Sequence, residues 1–392
     1  MRLPWGDSGD LDFSTNVGKA DIFISMDTTG SFNEEIEAVQ AALTNTIIPG
    51  IQKVIPDAAF GVGRFEDMPV KPFGSEGDTP YELLQPITET TKDIETALGL
   101  LQPTGLGGDV PEAGYEALYQ WAAGTGISDL GLAPFTSGGI GGVGFRRDAL
   151  PIILQISDAK SHLAADYTFT DQAHTKDETI SALNAIGARL VGINSLQNTG
   201  TVNDPRDQFE ELAIATKAII PPDEATGKCL MGLDNAPLEP VDIGGVPSCP
   251  VVFNVAPDGS GLGSLIVDAV EQLATLGTLD ISTRTVGRDK GILGEIITKG
   301  FDTSDFIKSV RPVAPAPTGS TIDKLIFRNV TPGSKVTFEV KAFNDFQPHT
   351  EVDQLFDADI EVLGDLVALL DVRNVFIIVP RNVPPVTTVV VK

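Results

Sequence analysis

The strongest pattern of apolar and polar positions lies at residues 21–35, DIFISMDTTGSFNEE. Ile22, Phe23, Ile24 and Met26 form an apolar run that stops at Asp27, Thr29 and Ser31. Asn33, Glu34 and Glu35 then open a segment with Ile36, Val39, Leu43 and Ile47 at helical spacing. This predicts a buried strand, an oxygen-rich turn and an amphipathic helix. AAFGVGRF (58–65) predicts a second strand, with glycines that admit a close neighbouring backbone, and it too ends in acids, Glu66 and Asp67. Thr90–Leu101 reads as a helix, and TGLGGDVPEAGYEALYQW places a glycine-rich turn before another, with Pro111 in its first turn. Residues 124–145 carry no period and read as a surface loop. PIILQIS (151–157) is a continuous apolar run, as in a strand covered on both faces, and it stops at Asp158.

Farther along, Asp177–Ile186 and Gln208–Ala215 read as helices, Arg189–Ile193 and Val251–Val255 as strands, and Leu262–Leu276 as a helix with one apolar face. Strands alternating with helices imply an α/β, doubly wound, Rossmann-like domain with a mostly parallel sheet. From Asp280 the pattern changes. LDISTRTV, KLIFRNV, KVTFEVKAF, ADIEVLGDLVALLDV and NVFIIVP mostly alternate apolar and polar residues between turn signals such as TPGS. That predicts an all-β, antiparallel, Ig-like sandwich of about 100 residues. The division read from the sequence is an N-terminal extension at 1–18, the α/β domain at 19–277 and the sandwich at 278–392.

Composition adds limits. The 392 residues suffice for two domains, and 42% hydrophobic content with 40 Gly and 27 Pro describes a globular chain with many loops. No apolar stretch is long enough to cross a bilayer. The opening MRLPWGDSGDLDF lacks the apolar core of a signal peptide, so the chain reads as a mature fragment with a starting Met. With 54 acidic and 27 basic residues the formal charge is −27, which argues against nucleic acid or an anionic membrane as partner and favours cations. Cys229 and Cys249 flank a loop and read as a local disulfide in an oxidising compartment; with three His in the chain, a structural zinc cage lacks ligands.

A carboxylate followed by hydroxyls two and four residues on, as in Asp27, Thr29 and Ser31, supplies hard oxygen ligands for Mg²⁺ or Ca²⁺. The same residues also suit a helix cap. The acids that follow other strands tip the balance. In a doubly wound sheet ligands bind beyond the carboxyl ends of the strands, and Asp27, Asp67 and Asp158 all fall there; Asp109 and Glu112 sit at a helix entry. With Glu34 and Glu35 they bring seven carboxylates to one rim. Each like-charge pair at about 4–6 Å costs roughly 3–4 kcal/mol at an effective dielectric near 20, a cost that bound divalent ions remove.

DTTGS (27–31), FGVGRFEDMPVKPFG (60–74), GDVPEAGYEAL (108–118), RRDALPIILQISDAKSH (146–162) and DGSGLGSLIVDAVEQL (258–273) resemble, in order, the motifs of the I-like domain of integrin β subunits. That domain is a von Willebrand factor A fold with a metal-ion-dependent adhesion site, and the resemblance covers residues 18–277. It implies an integrin-β-like protein from a non-animal source. By resemblance, Asp27, Thr29, Ser31, Glu112 and Asp158 hold a central Mg²⁺ or Mn²⁺. Glu34 and Glu35, with the carbonyls of Ser31 and Pro257, fall on an adjacent Ca²⁺ site; Asp67, Asp109, the Pro111 carbonyl and Glu112 fall on a third, also for Ca²⁺. The chain departs from the family at Glu34 and Glu35, where Asp is usual, and at Gly107, where Asn is usual. The glycine-rich loop 124–145 stands where the family has a cysteine-clamped specificity loop, and Cys229 and Cys249 match no family disulfide. GSKVTFEVKAF (333–343) resembles a strand of the integrin hybrid domain, which is completed by residues before the I-like domain; here the N-terminal segment supplies one strand or the sandwich is self-sufficient.

The function implied is cation-dependent adhesion: the central ion coordinates an exposed Asp or Glu of a protein ligand, outside the cell or at its surface, with an α-subunit-like companion as a further partner and no direct membrane insertion. The alternatives are an extracellular scaffold with stabilising ions and a metal-dependent hydrolase. The hydrolase would use His162 as base, but one helix turn past the strand His162 is read as pointing away from the metal mouth, so no enzyme is expected.

Overall fold

The computed structural model describes residues 7–104 and 107–382; residues 1–6 of the expected extension and 383–392 of the expected sandwich lie outside the described residues. The chain forms two compact units. One runs from Val17 to Thr278, and the other joins the N-terminal segment up to Asn16 to the chain from Leu279 onward. Strand β1 (Asp7–Ser14) belongs to the latter, so this part of the N-terminal segment supplies a strand rather than a free extension.

The first unit contains β2 (Lys19–Asp27), α1 (Asn33–Ala42), α2 (Ile48–Val54), β3 (Asp57–Phe65), β4 (Glu82–Thr88), α3 (Thr91–Leu98), α4 (Gly114–Ala123), β5 (Leu150–Ser157), α5 (Lys176–Ala185), β6 (Arg189–Ser195) and α6 (Arg206–Ala215). Short strands follow: β7 (Ile219–Ile220), β8 (Cys229–Leu230), β9 (Pro237–Leu238), β10 (Val241–Ile243) and β11 (Val246–Pro250). β12 (Val252–Val255) and α7 (Leu262–Leu276) close the unit. The central sheet has the order β12-β6-β5-β2-β3-β4. Every pairing is parallel except β3 with β4. The unit is therefore mixed α/β with a mostly parallel sheet. β4 carries no clean alternation because Pro86 interrupts ELLQPIT, and as an antiparallel edge strand it tolerates the missing donor.

Apolar runs set the centre: β2 is buried from Ala20 to Asp27, and β5 along its whole length. Phe23 packs against Trp121 of α4 at 5.0 Å, and the Trp121 indole donates to Ser25 Oγ at 2.9 Å. Gly63 is required here, since a Cβ would lie 2.8 Å from both the Phe23 and the Trp121 rings. The close neighbour is thus chiefly side chain, where a backbone was expected. The loop 124–145 is less superficial than its lack of period implied, for Ile127, Val143 and Phe145 are fully buried in the same core as Trp121. Cys229 and Cys249 are bridged, as the sequence reading favoured.

The second unit adds β13 (Leu279–Val286), β14 (Ile307–Pro312), β15 (Thr321–Asp323), β16 (Ile326–Val330), β17 (Lys335–Ala342), β18 (Gln354–Gly364) and β19 (Ala368–Val379). They form two antiparallel sheets, β1-β17-β14 and β15-β16-β13-β18-β19. The β17 residue Phe338 meets Phe327 of the other sheet edge-on at 5.2 Å. The stretch ADIEVLGDLVALLDV folds back as a hairpin, because Asp365 and Leu366 take positive φ, 48° and 70°.

Candidate metal centre

The chain leaves the adjacent strands β2 and β5 toward opposite sides of the sheet, β2 feeding β3 and β5 feeding β6. Helices and loops diverge at such a switch point and leave a crevice beyond the carboxyl ends. Asp27 is the last residue of β2, and Asp158 follows β5 directly. Asp27 Oδ1 accepts from the Thr29 amide at 2.9 Å and the Thr29 hydroxyl at 2.7 Å, and Oδ2 accepts from Ser157 Oγ at 2.7 Å. Ser31 Oγ stands 3.5 Å from both Asp158 Oδ1 and Thr29 Oγ1. The turn after β2 therefore gathers its oxygens around Asp27. It is not a helix cap, since α1 has Phe32 at its N-cap position and no side-chain capping bond.

Glu112 reaches the same place from another loop. Pro111 lies three residues before α4, not in its first turn. Glu112 instead bridges to Ser161: its amide donates to the Lys160 carbonyl at 2.8 Å, and its own carbonyl accepts from the His162 amide at 2.9 Å. These bonds hold the Glu112 loop against the segment after β5. A cavity of about 420 Å³ opens here, lined by Thr29, Ser31, Glu112, Asp158, Gln197 and Asn198 among others.

Asp27, Glu112 and Asp158 are at least 95% buried. Burial, then the Asp158 charge, pushes Asp27 up to about 7, and burial pushes Asp158 up to about 6. Glu112 is raised well above the usual range by burial and then by Asp27, Asp67, Asp158 and Asp109. Among the described residues, no Lys or Arg forms an ion pair with any of the three, and none is among the leading causes of these shifts. Glu112 Oε2 is buried without a hydrogen-bond partner. A carboxylate cluster of this kind, with one oxygen left unsatisfied among the described residues, fits a divalent cation.

The other sequence-derived residues divide. Glu34 is exposed and Glu35 buried. Glu35 Oε1 accepts from Ser195 Oγ at 2.5 Å and from Gln197 Nε2 at 3.4 Å, and Gln197 Nε2 also donates to the Ser31 carbonyl at 2.6 Å. An amide thus occupies two of the groups expected to bind the adjacent Ca²⁺, although Glu35 Oε2 remains unpartnered. Pro257 is exposed. Asp67 and Asp109 do come together, and Asp67, Asp109 and His162 each present one ligand atom within 4.8 Å of the others, an arrangement able to hold a metal ion.

Three residues of the rim were not read from the sequence as part of it. His162 was placed away from the metal mouth on the assumption of a helix after β5. No helix forms between β5 and His162, and the bridge between Glu112 and Ser161 turns His162 back toward Asp67. Gln197 and Asn198 follow β6; Asn198 Nδ2 donates to the Asp158 carbonyl at 3.0 Å. Like the acids, these amides follow the carboxyl end of a parallel strand, and that position is the signal for them in the sequence.

No protein-family model matches the chain, and no curated protein does. Among solved structures it is similar to a von Willebrand factor type A protein from Catenulispora acidiphila, with 11% identity and a TM-score of 0.36, covering 95% of this chain and 74% of that one. It is similar to the pilus adhesin SpaC from Lactobacillus rhamnosus GG, with 11% identity and a TM-score of 0.38, covering 96% of this chain but spanning only 46% of the adhesin. The ArnB paralog VWA2 from Sulfolobus acidocaldarius matches at 11% identity and a TM-score of 0.32, covering 97% of this chain and 73% of that one. Likenesses of this size decide nothing about ligand or partner, and the geometry stands by itself.

Proposed function

We propose that the α/β unit is a von Willebrand factor A-type module, of the integrin β I-like kind, that binds a partner protein through a divalent cation. One observation carries the reading: Asp27, Glu112 and Asp158 are buried together at the switch point with no Lys or Arg compensating them. Asp27, Thr29, Ser31, Glu112 and Asp158 would hold Mg²⁺ or Mn²⁺, whose open coordination position would accept a carboxylate oxygen from an exposed Asp or Glu of the partner. Thr29 and Ser157 orient Asp27, and Asn198 fixes the backbone at Asp158.

The second unit is proposed, by analogy, as a hybrid-like Ig-type spacer, and an α-subunit-like companion as a further partner. An extracellular or cell-surface location agrees with the Cys229–Cys249 disulfide and the charge of −27. Among the described residues no helix is long and apolar enough to cross a membrane. The reading assigns no catalytic residue. A hydrolase would need a free base at the central site, and His162 is engaged with Asp67 and Asp109 at 3.2 and 3.1 Å.

The test begins with chelated protein. Mg²⁺, Mn²⁺ and Ca²⁺ are titrated in while the melting temperature and the binding of a carboxylate-bearing peptide are followed, in wild type and Asp27→Ala. Peptide binding is expected only with Mg²⁺ or Mn²⁺ and only in wild type. Peptide binding by Asp27→Ala, or by chelated wild type, would overturn the reading; a metal-dependent melting shift with no peptide binding would favour the scaffold.

A further inference from the structure

We propose that His162 gives an imidazole nitrogen to a metal ion shared with Asp67 and Asp109, making this third position a mixed nitrogen and oxygen site for a borderline divalent ion such as Zn²⁺ rather than for Ca²⁺. The site is separate from the central one and does not depend on an ion there.

Three features build it. Asp67 is fully buried, and its Oδ1 is fixed by the Tyr167 hydroxyl at 2.7 Å and the Met68 amide at 2.6 Å. That leaves Oδ2, which accepts no hydrogen bond of good geometry and lies 3.2 Å from His162 Nε2. His162 is buried, held through its backbone by the Glu112 carbonyl and through its ring by edge-on contacts with Phe73 at 5.0 Å and Tyr167 at 5.3 Å. Its Nδ1 faces Asp166 Oδ2 at 3.4 Å, and that oxygen is itself held by the Leu163 amide at 2.8 Å. A carboxylate behind one imidazole nitrogen orients the other toward a metal and raises its basicity. Asp109 Oδ1 completes the set, 3.1 Å from Nε2, with its backbone fixed by the Phe73 carbonyl.

The spacing suits a small ion. With metal–ligand bonds of about 2.1 Å, neighbouring ligand atoms stand roughly 3.0–3.4 Å apart, in octahedral or tetrahedral geometry. The His162 separations of 3.1 and 3.2 Å fall in that range. Ca²⁺ takes oxygen ligands at 2.3–2.6 Å, whereas imidazole with carboxylates suits Zn²⁺, Mn²⁺, Co²⁺ or Ni²⁺. Scarcity of His and Cys excludes a structural four-ligand cage but not a site of one His and two carboxylates that keeps water in the remaining positions.

The full chain, stripped with chelator, is dialysed against Zn²⁺ in the presence of a large excess of Ca²⁺, as wild type, His162→Gln and Asp27→Ala. Wild type and Asp27→Ala are expected to retain Zn²⁺, and His162→Gln to lose affinity by roughly tenfold to a hundredfold or more. In wild type loaded with Co²⁺, the ring protons of one histidine should show paramagnetic shifts, a reading that needs no variant. Displacement of Zn²⁺ from wild type by Ca²⁺, undiminished Zn²⁺ binding by His162→Gln, or Co²⁺ binding without a shifted imidazole would each overturn the proposal and leave only a hydrogen-bonded His162. Failure of the central site would show instead as peptide binding by Asp27→Ala, with Zn²⁺ retention unchanged.

Discussion

β2 carries two fully buried carboxylates at its opposite ends, Asp21 and Asp27, and they are compensated in different ways. Asp21 is met from within the chain: Arg146 Nε donates to its Oδ1 at 2.7 Å, the Arg146 amide donates to its Oδ2, and the same guanidinium reaches Asp57 and Glu89. Asp27, at the carboxyl end, has hydroxyl and amide donors but Asp158 and Glu112 as charged neighbours. Strand, burial and residue type are the same, so the difference isolates one variable, the source of the positive charge. At the amino end the fold contains it. At the carboxyl end no Lys or Arg ion pair supplies it among the described residues, and on the function proposed above a bound cation does.

The largest effect falls on the self-contained end. Removing one partner of a buried ion pair costs about 3–5 kcal/mol where the other charge is left alone; Arg146 keeps Asp57 and Glu89, so Asp21→Ala should lose the lower end of that range, about 3 kcal/mol, in urea denaturation, equally with Mg²⁺ and with chelator. A loss that depends on Mg²⁺ would mean the two ends are not independent. Asp27→Asn should behave oppositely. Without metal it keeps the size and the acceptor oxygen while removing a buried charge, so stability should hold or rise. With metal, wild type gains about 2.7 kcal/mol at a hundredfold excess over Kd, and the variant should gain nothing. Greater metal-free destabilisation by Asp27→Asn than by Asp21→Ala would break the comparison.

The pH dependence sharpens it further. Asp27 and Asp158 have folded values of about 7 and about 6, above the roughly 3.9 of an unfolded Asp. Between those limits the folded state binds more protons than the unfolded, so their contribution is fully present below about pH 4 and is lost as pH rises through 6 to 7. Metal-free protein should therefore lose stability across that window, whereas saturating Mg²⁺, which needs the ionised carboxylates, should reverse the slope. Melting curves at a series of pH values, with and without Mg²⁺, check both signs; parallel curves would exclude Asp27 and Asp158 as ligands.

The contrast also shows what a sequence discloses. The ends of β2 and β5 are legible because a buried strand that stops at an acid needs only local pattern, and Asp27 and Asp158 were found that way. The partner of Asp21 was not, since Arg146 lies in a polar stretch 125 residues away and nothing local marks the pairing. His162 was misplaced for a related reason: a short segment after a strand reads as the next helix unless its long-range bridge to Glu112 is known. β1 pairs with β17 across more than 300 residues, and only the pattern of each strand, not their union, lies in the chain.

The smallest effect concerns the position beside Asp27, where a neutral amide stands near an acid. Gln197 donates to the Ser31 carbonyl and to Glu35, so part of the expected adjacent Ca²⁺ site is closed by the loop after β6. Glu34 is left exposed and makes no bond to that loop among the described residues. Surface changes away from special features usually fall within about 0.5 kcal/mol. Glu34→Gln should therefore shift stability by no more than that, with Ca²⁺ or with chelator, by thermal melting. Loss of a Ca²⁺-dependent shift in this variant would mean that the ion displaces the Gln197 amide and recruits Glu34. The carboxyl end of β2 would then draw a second external charge, and the asymmetry between its two ends would be larger still.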